Sequence, residues 1–253
     1  MNTVFNQMVD YYDRYRPQYP TEIIDKIVTT ASLTCDSRII EIGAGSGKAT
    51  SQFIDYNIDI LCIEPGKALA EKGIERFKGN KVSYIISLFE DCVFDNSAYD
   101  AIIAAQSFHW VKKPEGYKLC AQALKNNGFL MPFWNIEIIS DINIDHDVYD
   151  IITRYDGYTA VLKEDAYYKR SENIVADIEN CGYFTKPEVF RVKWERNYTA
   201  EEYFGYLMTG NMFINNPEEK MIECLTELKN LEEKYGGIKR TFISELYISK
   251  KII

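Results

Sequence analysis

A glycine-rich segment directly after an isoleucine-rich run constrains the fold of this chain more than any other feature. Residues 38–42 have the sequence RIIEI, and residues 43–47 have the sequence GAGSG. A short apolar run that ends at glycines is typical of a buried strand. Glycines at this point permit positive φ angles and let a ligand approach the backbone without a Cβ atom in the way. We therefore predict a strand, a ligand-binding turn and a helix, in that order.

Short apolar runs alternate with helical segments as far as residue 134. The runs predict strands at 38–42, 59–63, 82–86, 99–105 and 128–134, and helices at 49–56, 67–77 and 113–125. Such alternation favours a parallel sheet covered by helices on both faces. Two later segments, 187–194 and 241–250, also have strand patterns, within a polar, tyrosine-rich and mostly helical region. We therefore predict an α/β fold: a Rossmann-like, doubly wound, mostly parallel seven-stranded sheet with one antiparallel strand near the C-terminus and a helical cap.

An acidic residue follows the second predicted strand. Glu64 begins the sequence Glu64-Pro65-Gly66. In a doubly wound sheet the carboxyl ends of these strands lie at one edge, where ligands bind near the switch in strand order. A carboxylate there can accept two hydrogen bonds from the vicinal hydroxyls of a ribose, so the sequence indicates a cofactor that contains a nucleoside.

The spacing of the glycines distinguishes between such cofactors. A dinucleotide loop has the pattern G-x-G-x-x-G, whereas this chain has G-x-G-x-G with Glu41 two residues before the first glycine. A carboxylate at Glu41 would repel a pyrophosphate and attract an ammonium group. This favours S-adenosylmethionine over NAD. The alternatives are a nicotinamide oxidoreductase and a tight turn that binds no ligand.

Three further segments carry a resemblance to a known family. Residues 12–20 have the sequence YDRYRPQYP, residues 88–91 LFED and residues 105–110 AQSFHW. With residues 38–134, they resemble the class I S-adenosylmethionine-dependent methyltransferases, in particular the small-molecule branch around trans-aconitate methyltransferase and the type 11 methyltransferase domain. The resemblance implies in-line methyl transfer from S-adenosylmethionine to a small-molecule acceptor, with S-adenosylhomocysteine as product and no metal. A cofactor-binding protein without turnover is the alternative.

The resemblance and the chemistry together assign roles to individual residues. Arg16 would pair with the carboxylate of the cofactor. Leu88 stands where many relatives have Asp, so Glu90 and the Phe89 backbone N–H would recognise the adenine. The expected cofactor-binding residues are Tyr12, Arg16, Tyr19, Glu41, Gly43, Gly45, Gly47, Glu64, Pro65, Phe89, Glu90 and Gln106. The tyrosine segment is also consistent with an amphipathic helix that packs on the domain.

The acceptor side of the site has fewer candidates. His109 would orient or deprotonate the acceptor, and a structural histidine is the alternative. Candidate substrate contacts are Trp110, Trp134 and Tyr206. No cluster of lysine or arginine in the cap indicates an acidic acceptor; Arg154 and Lys163 are the only candidates there.

Composition limits the partners and the location. The formal net charge of −9 disfavours nucleic acid and anionic membranes as main partners. The apolar runs are shorter than the about 20 residues that span a bilayer, and the N-terminus lacks the features of a signal peptide. Six cysteines without a C-x-x-C pair and only two histidines disfavour a zinc site. We predict reduced thiols and a cytoplasmic protein.

The chain is predicted to form a single methyltransferase domain in four segments. These are an N-terminal segment that covers the cofactor (1–35), a cofactor-binding core (36–135), a helical cap with a late strand (136–240) and a final strand (241–253).

Overall fold

The computed structural model describes residues 13–139, 143–156, 161–210 and 216–252. Its strands are β1 (Arg38–Ile42), β2 (Asp59–Ile63), β3 (Val82–Ile85), β4 (Tyr99–Ala105), β5 (Leu124–Ile138), β6 (Glu188–Tyr198) and β7 (Ile238–Lys250). They form one seven-stranded sheet in the order β3-β2-β1-β4-β5-β7-β6. Six strands are parallel and one, near the C-terminus, is antiparallel. The predicted fold class is confirmed.

Seven helices of the described residues accompany the sheet. They are α1 (Thr21–Thr30), α2 (Lys67–Arg76), α3 (Glu115–Ala123), α4 (Asn143–Asp156), α5 (Glu164–Asn180), α6 (Ala200–Leu207) and α7 (Glu218–Tyr235). Short 3₁₀ helices lie at Thr50–Tyr56, Phe89–Asp91 and Phe108–Trp110. In the part of the chain that the structure describes, no helix is both long and apolar enough to cross a membrane.

Several predicted elements differ from the observed ones. The helix predicted at 49–56 is a 3₁₀ helix at Thr50–Tyr56 rather than an α-helix. The helix predicted to end at residue 125 ends at Ala123, and β5 begins at Leu124 rather than at Gly128. The register between β4 and β5 shifts between the pairs Tyr99–Leu124 and Ala101–Phe129. Residues Asn126-Asn127-Gly128, which the sequence predicted as a turn, therefore form an irregularity within β5.

Contacts divide the chain into two compact units. The first comprises residues 1–17, 136–169 and 193–243, and the second comprises residues 18–135, 170–192 and 244–253. The four segments inferred from the sequence stay a prediction.

The core of the second unit explains its secondary structure. Four of the five residues of β1 are buried, as the β-branched side chains of a central parallel strand require. Helix α1 follows Pro20 and buries Ile23, Ile24 and Ile27, which pack into the same core as Phe53. Strand β1 pairs in parallel with both β2 and β4, so the carboxyl ends of all three lie at one sheet edge.

The first unit has a core of its own, in which charged groups are buried. Helix α6 begins with a capping box between Thr199 and Glu202. Arg240 on β7 is 0% exposed and donates hydrogen bonds to both Glu137 and Asp145. Tyr203 also donates to Glu137, at 2.7 Å. One guanidinium therefore compensates two buried carboxylates.

We expect Arg240→Gln to destabilise the protein strongly, because it removes the buried cation to which Glu137 and Asp145 are both hydrogen-bonded. Breaking a buried ion pair costs about 3–5 kcal/mol of unfolding free energy. Urea denaturation followed by circular dichroism measures the loss. The control is Lys239→Gln, one residue earlier, which removes an ion pair with Glu195 whose partners are both about half exposed. That change should cost less than about 1 kcal/mol, and equal losses would contradict the assignment.

Candidate functional site

The predicted glycine turn lies at the carboxyl ends of β1 and β2, within the second unit. The backbone N–H groups of Gly43 and Ala44 both donate to the carbonyl of Ile63, at 2.8 and 3.2 Å. The N–H of Gly47 then donates to the carbonyl of Ala44, at 2.9 Å. These bonds attach the turn to the last residue of β2 and fix its path across the sheet edge.

The three glycines are required for different reasons. Gly43, Gly45 and Gly47 all have positive φ angles, of +65°, +59° and +79°. A Cβ atom at Gly43 would lie 2.5 Å from Ser107, and one at Gly47 would lie 2.1 Å from Phe77. A Cβ atom at Gly45 would meet nothing within 4 Å. Packing of the protein thus explains two glycines, while Gly45 faces open space that a ligand can fill.

Glu64 connects the glycine turn to the next helix. Its side chain is 7% exposed, and its two oxygens accept backbone hydrogen bonds from Gly45 at 2.8 Å and from Gly66 at 2.7 Å. Burial raises the pKa of Glu64, and the two backbone donors oppose that rise. A carboxylate offers about four acceptor positions, so it retains capacity for ribose hydroxyls. Pro65 lies exposed between Glu64 and Gly66.

Glu41 is the second acid of the site, and it is 1% exposed. Its Oε2 accepts a hydrogen bond from the Thr50 hydroxyl at 2.6 Å. Burial, with a contribution from the nearby charge of Glu64, raises the pKa of Glu41 to about 7, although Thr50 acts against the rise. The protein therefore favours the neutral form of Glu41 far above the pH at which a carboxyl usually ionises.

The end of β4 is held in an unusual backbone conformation. Gln106 has a φ of +60°, which costs a non-glycine residue about 1–2 kcal/mol. Its N–H donates to the carbonyl of Phe133 and its side-chain Nε2 donates to the carbonyl of Asn135, at 2.9 and 2.8 Å. The next side chain, Ser107, donates to the carbonyl of Ile42 at the start of the glycine turn. These bonds connect the end of β4 to β1 and β5.

The segment predicted to recognise adenine has one buried and two accessible side chains. Phe89 is buried against Phe94, with ring centroids 5.4 Å apart. Glu90 is half-buried, and its Oε1 accepts the backbone N–H of Lys112 at 2.5 Å. Leu88 is exposed. One oxygen of Glu90 thus holds the backbone at Lys112, after the 3₁₀ helix Phe108–Trp110, and the carboxylate retains acceptor capacity for an amino group.

His109 lies in the 3₁₀ helix after β4 and contacts two tryptophans. The indole N–H of Trp134, a buried residue of β5, donates to His109 Nδ1 at 3.4 Å, and the ring of Trp110 lies 5.0 Å away. Burial, followed by the charges of Arg170 and Lys113, lowers the pKa of His109. The lowered pKa favours the neutral form of His109, in which an accepting Nδ1 leaves the proton on Nε2; that proton could be donated to an acceptor molecule.

Two of the predicted contacts lie in the first unit. Arg16 Nε donates to the Thr209 hydroxyl at 2.7 Å, and its guanidinium lies 5.4 Å from the ring centroid of Tyr206. Tyr12 lies outside the described residues. The roles of Tyr12, Arg16 and Tyr206 in ligand binding stay predictions.

Tyr19 belongs to the core of the second unit. It is buried and packs edge-on against Phe133 with ring centroids 4.6 Å apart. The side-chain amide of Gln52 binds both the N–H and the carbonyl of Tyr19, at 3.1 and 2.8 Å. A cofactor contact from Tyr19 stays a prediction beside this packing role.

Sequence reasoning missed three residues that the structure brings into the site: Thr50, Ser107 and Arg170. Thr50 and Ser107 are short polar side chains beside motif residues, and their only sequence signal is that proximity. Arg170 is distant in sequence from every motif and has no such signal. Among the described residues, no three His, Cys, Asp or Glu side chains form a group that could hold a metal ion.

Comparison with known proteins places a methyltransferase domain in this region. A family model described as "Methyltransferase domain" matches residues 40–131. An uncharacterised methyltransferase of Mycobacterium tuberculosis is 28% identical over 135 residues, which is 53% of this chain and 53% of the relative. The match thus spans about half the length of such curated relatives. The narrower resemblance to trans-aconitate methyltransferase stays a prediction.

Solved structures share the fold at low identity. A provisionally assigned type II methyltransferase of Anaeromyxobacter dehalogenans has a TM-score of 0.64 and 14% identity, over 94% of this chain and 99% of the other. Phosphoethanolamine N-methyltransferase 2 of Haemonchus contortus, solved with phosphomonomethylethanolamine and S-adenosylhomocysteine, has a TM-score of 0.58 and 12% identity, over 97% of this chain and 58% of the other. The sequence relatives and the shared fold agree with the methyltransferase domain that the family model matches at residues 40–131.

Proposed function

We propose that this protein transfers a methyl group from S-adenosylmethionine to a small-molecule acceptor. The observation that carries the proposal is the pairing of Gly45 with Glu64, in which open space lies beside the glycine and a carboxylate accepts its N–H at 2.8 Å. The turn lets a ligand approach the backbone, and the carboxylate is suited to ribose hydroxyls. The structural relative from Haemonchus contortus, solved with S-adenosylhomocysteine, supports the same cofactor class.

When bound, the cofactor supplies a methyl group on a positively charged sulfur; the acceptor's lone pair bonds to the methyl carbon, and the electron pair of the broken C–S bond goes to sulfur. In the proposal, Glu64 binds the ribose, and Glu90 with the Phe89 N–H binds the adenine. Little covalent chemistry is required of the protein. Orientation of the reactants contributes about 7–11 kcal/mol in such reactions.

The acceptor end of the proposed site is formed by His109 and its aromatic neighbours. Because Nδ1 accepts from Trp134, the available proton of His109 is on Nε2. We assign His109 to hold and orient the acceptor through this proton. Trp110, which is 73% exposed, offers an apolar face beside it.

We expect Gly45→Ala to weaken binding of S-adenosylhomocysteine by at least about tenfold, or about 1.4 kcal/mol, because the new methyl group occupies the space assigned to the ligand. Isothermal calorimetry measures the affinity. Gly182→Ala is the matched control, since Gly182 also has a positive φ, of +79°, and nothing within 4 Å of an added Cβ atom. Both variants carry similar backbone strain, and only Gly45→Ala should lose affinity.

A methyl-transfer assay on the wild-type protein distinguishes an enzyme from a protein that only binds the cofactor. Methyl transfer from S-adenosylmethionine with a labelled methyl group is followed across a panel of small-molecule acceptors. Cofactor binding without transfer to any acceptor would favour the binding protein. Absence of S-adenosylhomocysteine binding at millimolar concentration would overturn the proposal altogether.

We expect the free energy of unfolding to fall as the pH rises from about 4.5 to about 7, because of Glu41. Its pKa is raised from 4.5 to about 7, so the unfolded chain loses this proton first while the folded protein retains it. Stability is highest below the unfolded pKa and declines by about 3 kcal/mol through this range. Glu41→Gln, which keeps an acceptor for Thr50, should remove this part of the decline.

The control is Glu75→Gln, at an exposed position of α2. Urea denaturation of all three proteins between pH 4 and pH 8 gives the comparison. Any decline in the free energy of unfolding that persists in Glu41→Gln is assigned to Glu64, whose pKa is also raised. Parallel pH curves for the wild type and Glu41→Gln would contradict the burial effect assigned to Glu41.

A further inference from the structure

We propose that Arg170 and His109 form a binding site for a compact oxyanion, a carboxylate or a phosphate, carried by the methyl acceptor. The inference rests on the proposed function, because it names the chemical class of acceptor for the same site. It also revises the sequence-based view that no cationic cluster indicates an acidic acceptor. That view considered the predicted cap, residues 136–240, and did not select Arg170, which lies within this range but belongs to the second unit together with His109.

Arg170 packs against Trp134, and one nitrogen of its guanidinium makes no hydrogen bond within the described residues. Its guanidinium lies 5.0 Å from the ring centroid of Trp134, and its side chain is 30% exposed. The Nη1 atom is buried and has no hydrogen-bond partner among the described residues. A buried donor without an acceptor is costly. A planar guanidinium is also the side chain best suited to bidentate recognition of a carboxylate or phosphate.

The nearest carboxylate, Glu245, does not account for Arg170. Glu245 Oε2 lies 3.7 Å from Arg170 Nη1, beyond hydrogen-bond distance. Glu245 instead accepts from Ser171 at 2.7 Å, from Arg191 at 2.9 Å and from Tyr247 at 2.6 Å. The carboxylate oxygens of Glu245 therefore accept their hydrogen bonds from residues other than Arg170.

Cationic side chains lie near His109. The charges of Arg170 and Lys113 both act on this histidine. Arg170 and Arg191 lie 3.7 and 2.9 Å from Glu245, and Lys113 pairs with Asp177. The cations would attract an anionic ligand, although the formal net charge of the chain is −9.

His109 supplies the second donor, through the same tryptophan. The indole N–H of Trp134 donates to His109 Nδ1, and its ring contacts the guanidinium of Arg170. One buried residue therefore positions both groups. His109 also follows Ser107, which binds the carbonyl of Ile42 at the glycine turn. The proposed anion site is thereby connected to the edge at which the cofactor is proposed to bind.

Proton NMR of the full-length protein saturated with S-adenosylhomocysteine tests this site. The chain has two histidines, so its spectrum contains two imidazole Cε1–H signals, and the exposed His146 on α4 serves as an internal reference. Sodium succinate and inorganic phosphate are titrated at constant ionic strength, with neutral succinamide as the control ligand. We expect a bound anion to raise the pKa of His109 by about 1 and to leave that of His146 unchanged.

Substitutions assign the effect to Arg170. In Arg170→Gln the anion-induced shift of His109 should disappear, whereas Lys169→Gln, which removes an exposed charge one residue away, should retain it. Arg170→Lys keeps the charge but loses the planar fork, and should bind the anions several-fold more weakly than the wild type. The anion that acts at the lower concentration distinguishes a carboxylate acceptor from a phosphate acceptor.

Three outcomes would overturn the proposal. The first is a wild-type His109 that responds to neither anion although S-adenosylhomocysteine binds; absence of S-adenosylhomocysteine binding would instead count against the proposed function. The second is an anion response that the protein shows when it is titrated without S-adenosylhomocysteine and loses when that ligand is added, which would assign Arg170 to the cofactor's own carboxylate. The third is transfer of the labelled methyl group to the amides of a panel in preference to the matched acids.

Discussion

The proposed site depends on the hydrogen bonds that the carboxylate of Glu64 accepts from the backbone. This carboxylate accepts the backbone N–H groups of Gly45 and Gly66, and so joins the turn after β1 to the beginning of α2. Burial of this charge is unfavourable, and the two backbone donors offset part of the cost. The same bonds orient the carboxylate before any ligand arrives. A preorganised acceptor reduces the ordering cost that a ribose would otherwise impose on binding.

Glu41 makes the glycine turn sensitive to the charge of its ligand. Glu41 is buried, and the charge of Glu64 contributes to raising its pKa, so the protein favours the neutral form of Glu41 up to about pH 7. A positively charged ligand near the turn would favour the ionised form, and an anionic pyrophosphate would oppose it. The sequence argument against a dinucleotide assumes a charged Glu41, and the raised pKa of Glu41 makes that argument depend on pH.

Features that depend on a local sequence pattern could be predicted from the sequence, whereas features that depend on long-range packing could not. Residues 38–47 form the predicted strand and turn because their apolar run and glycines act within a few residues of one another. The 3₁₀ helix at Thr50–Tyr56 and the early start of β5 at Leu124 depend on register with neighbouring elements, which periodicity does not contain. Arg170 was missed for the same reason, since it meets the site only by stacking on Trp134.

Trp134 unites the two halves of the proposed acceptor site. Its indole N–H determines which nitrogen of His109 carries the proton, and its ring supports the guanidinium of Arg170. A buried tryptophan normally satisfies its N–H and packs its ring, and here both tasks are performed by groups that can bind an anion. A direct contact between Trp134 and the substrate stays a prediction. Trp134 is buried, and in the proposal the two side chains that it contacts bind the acceptor.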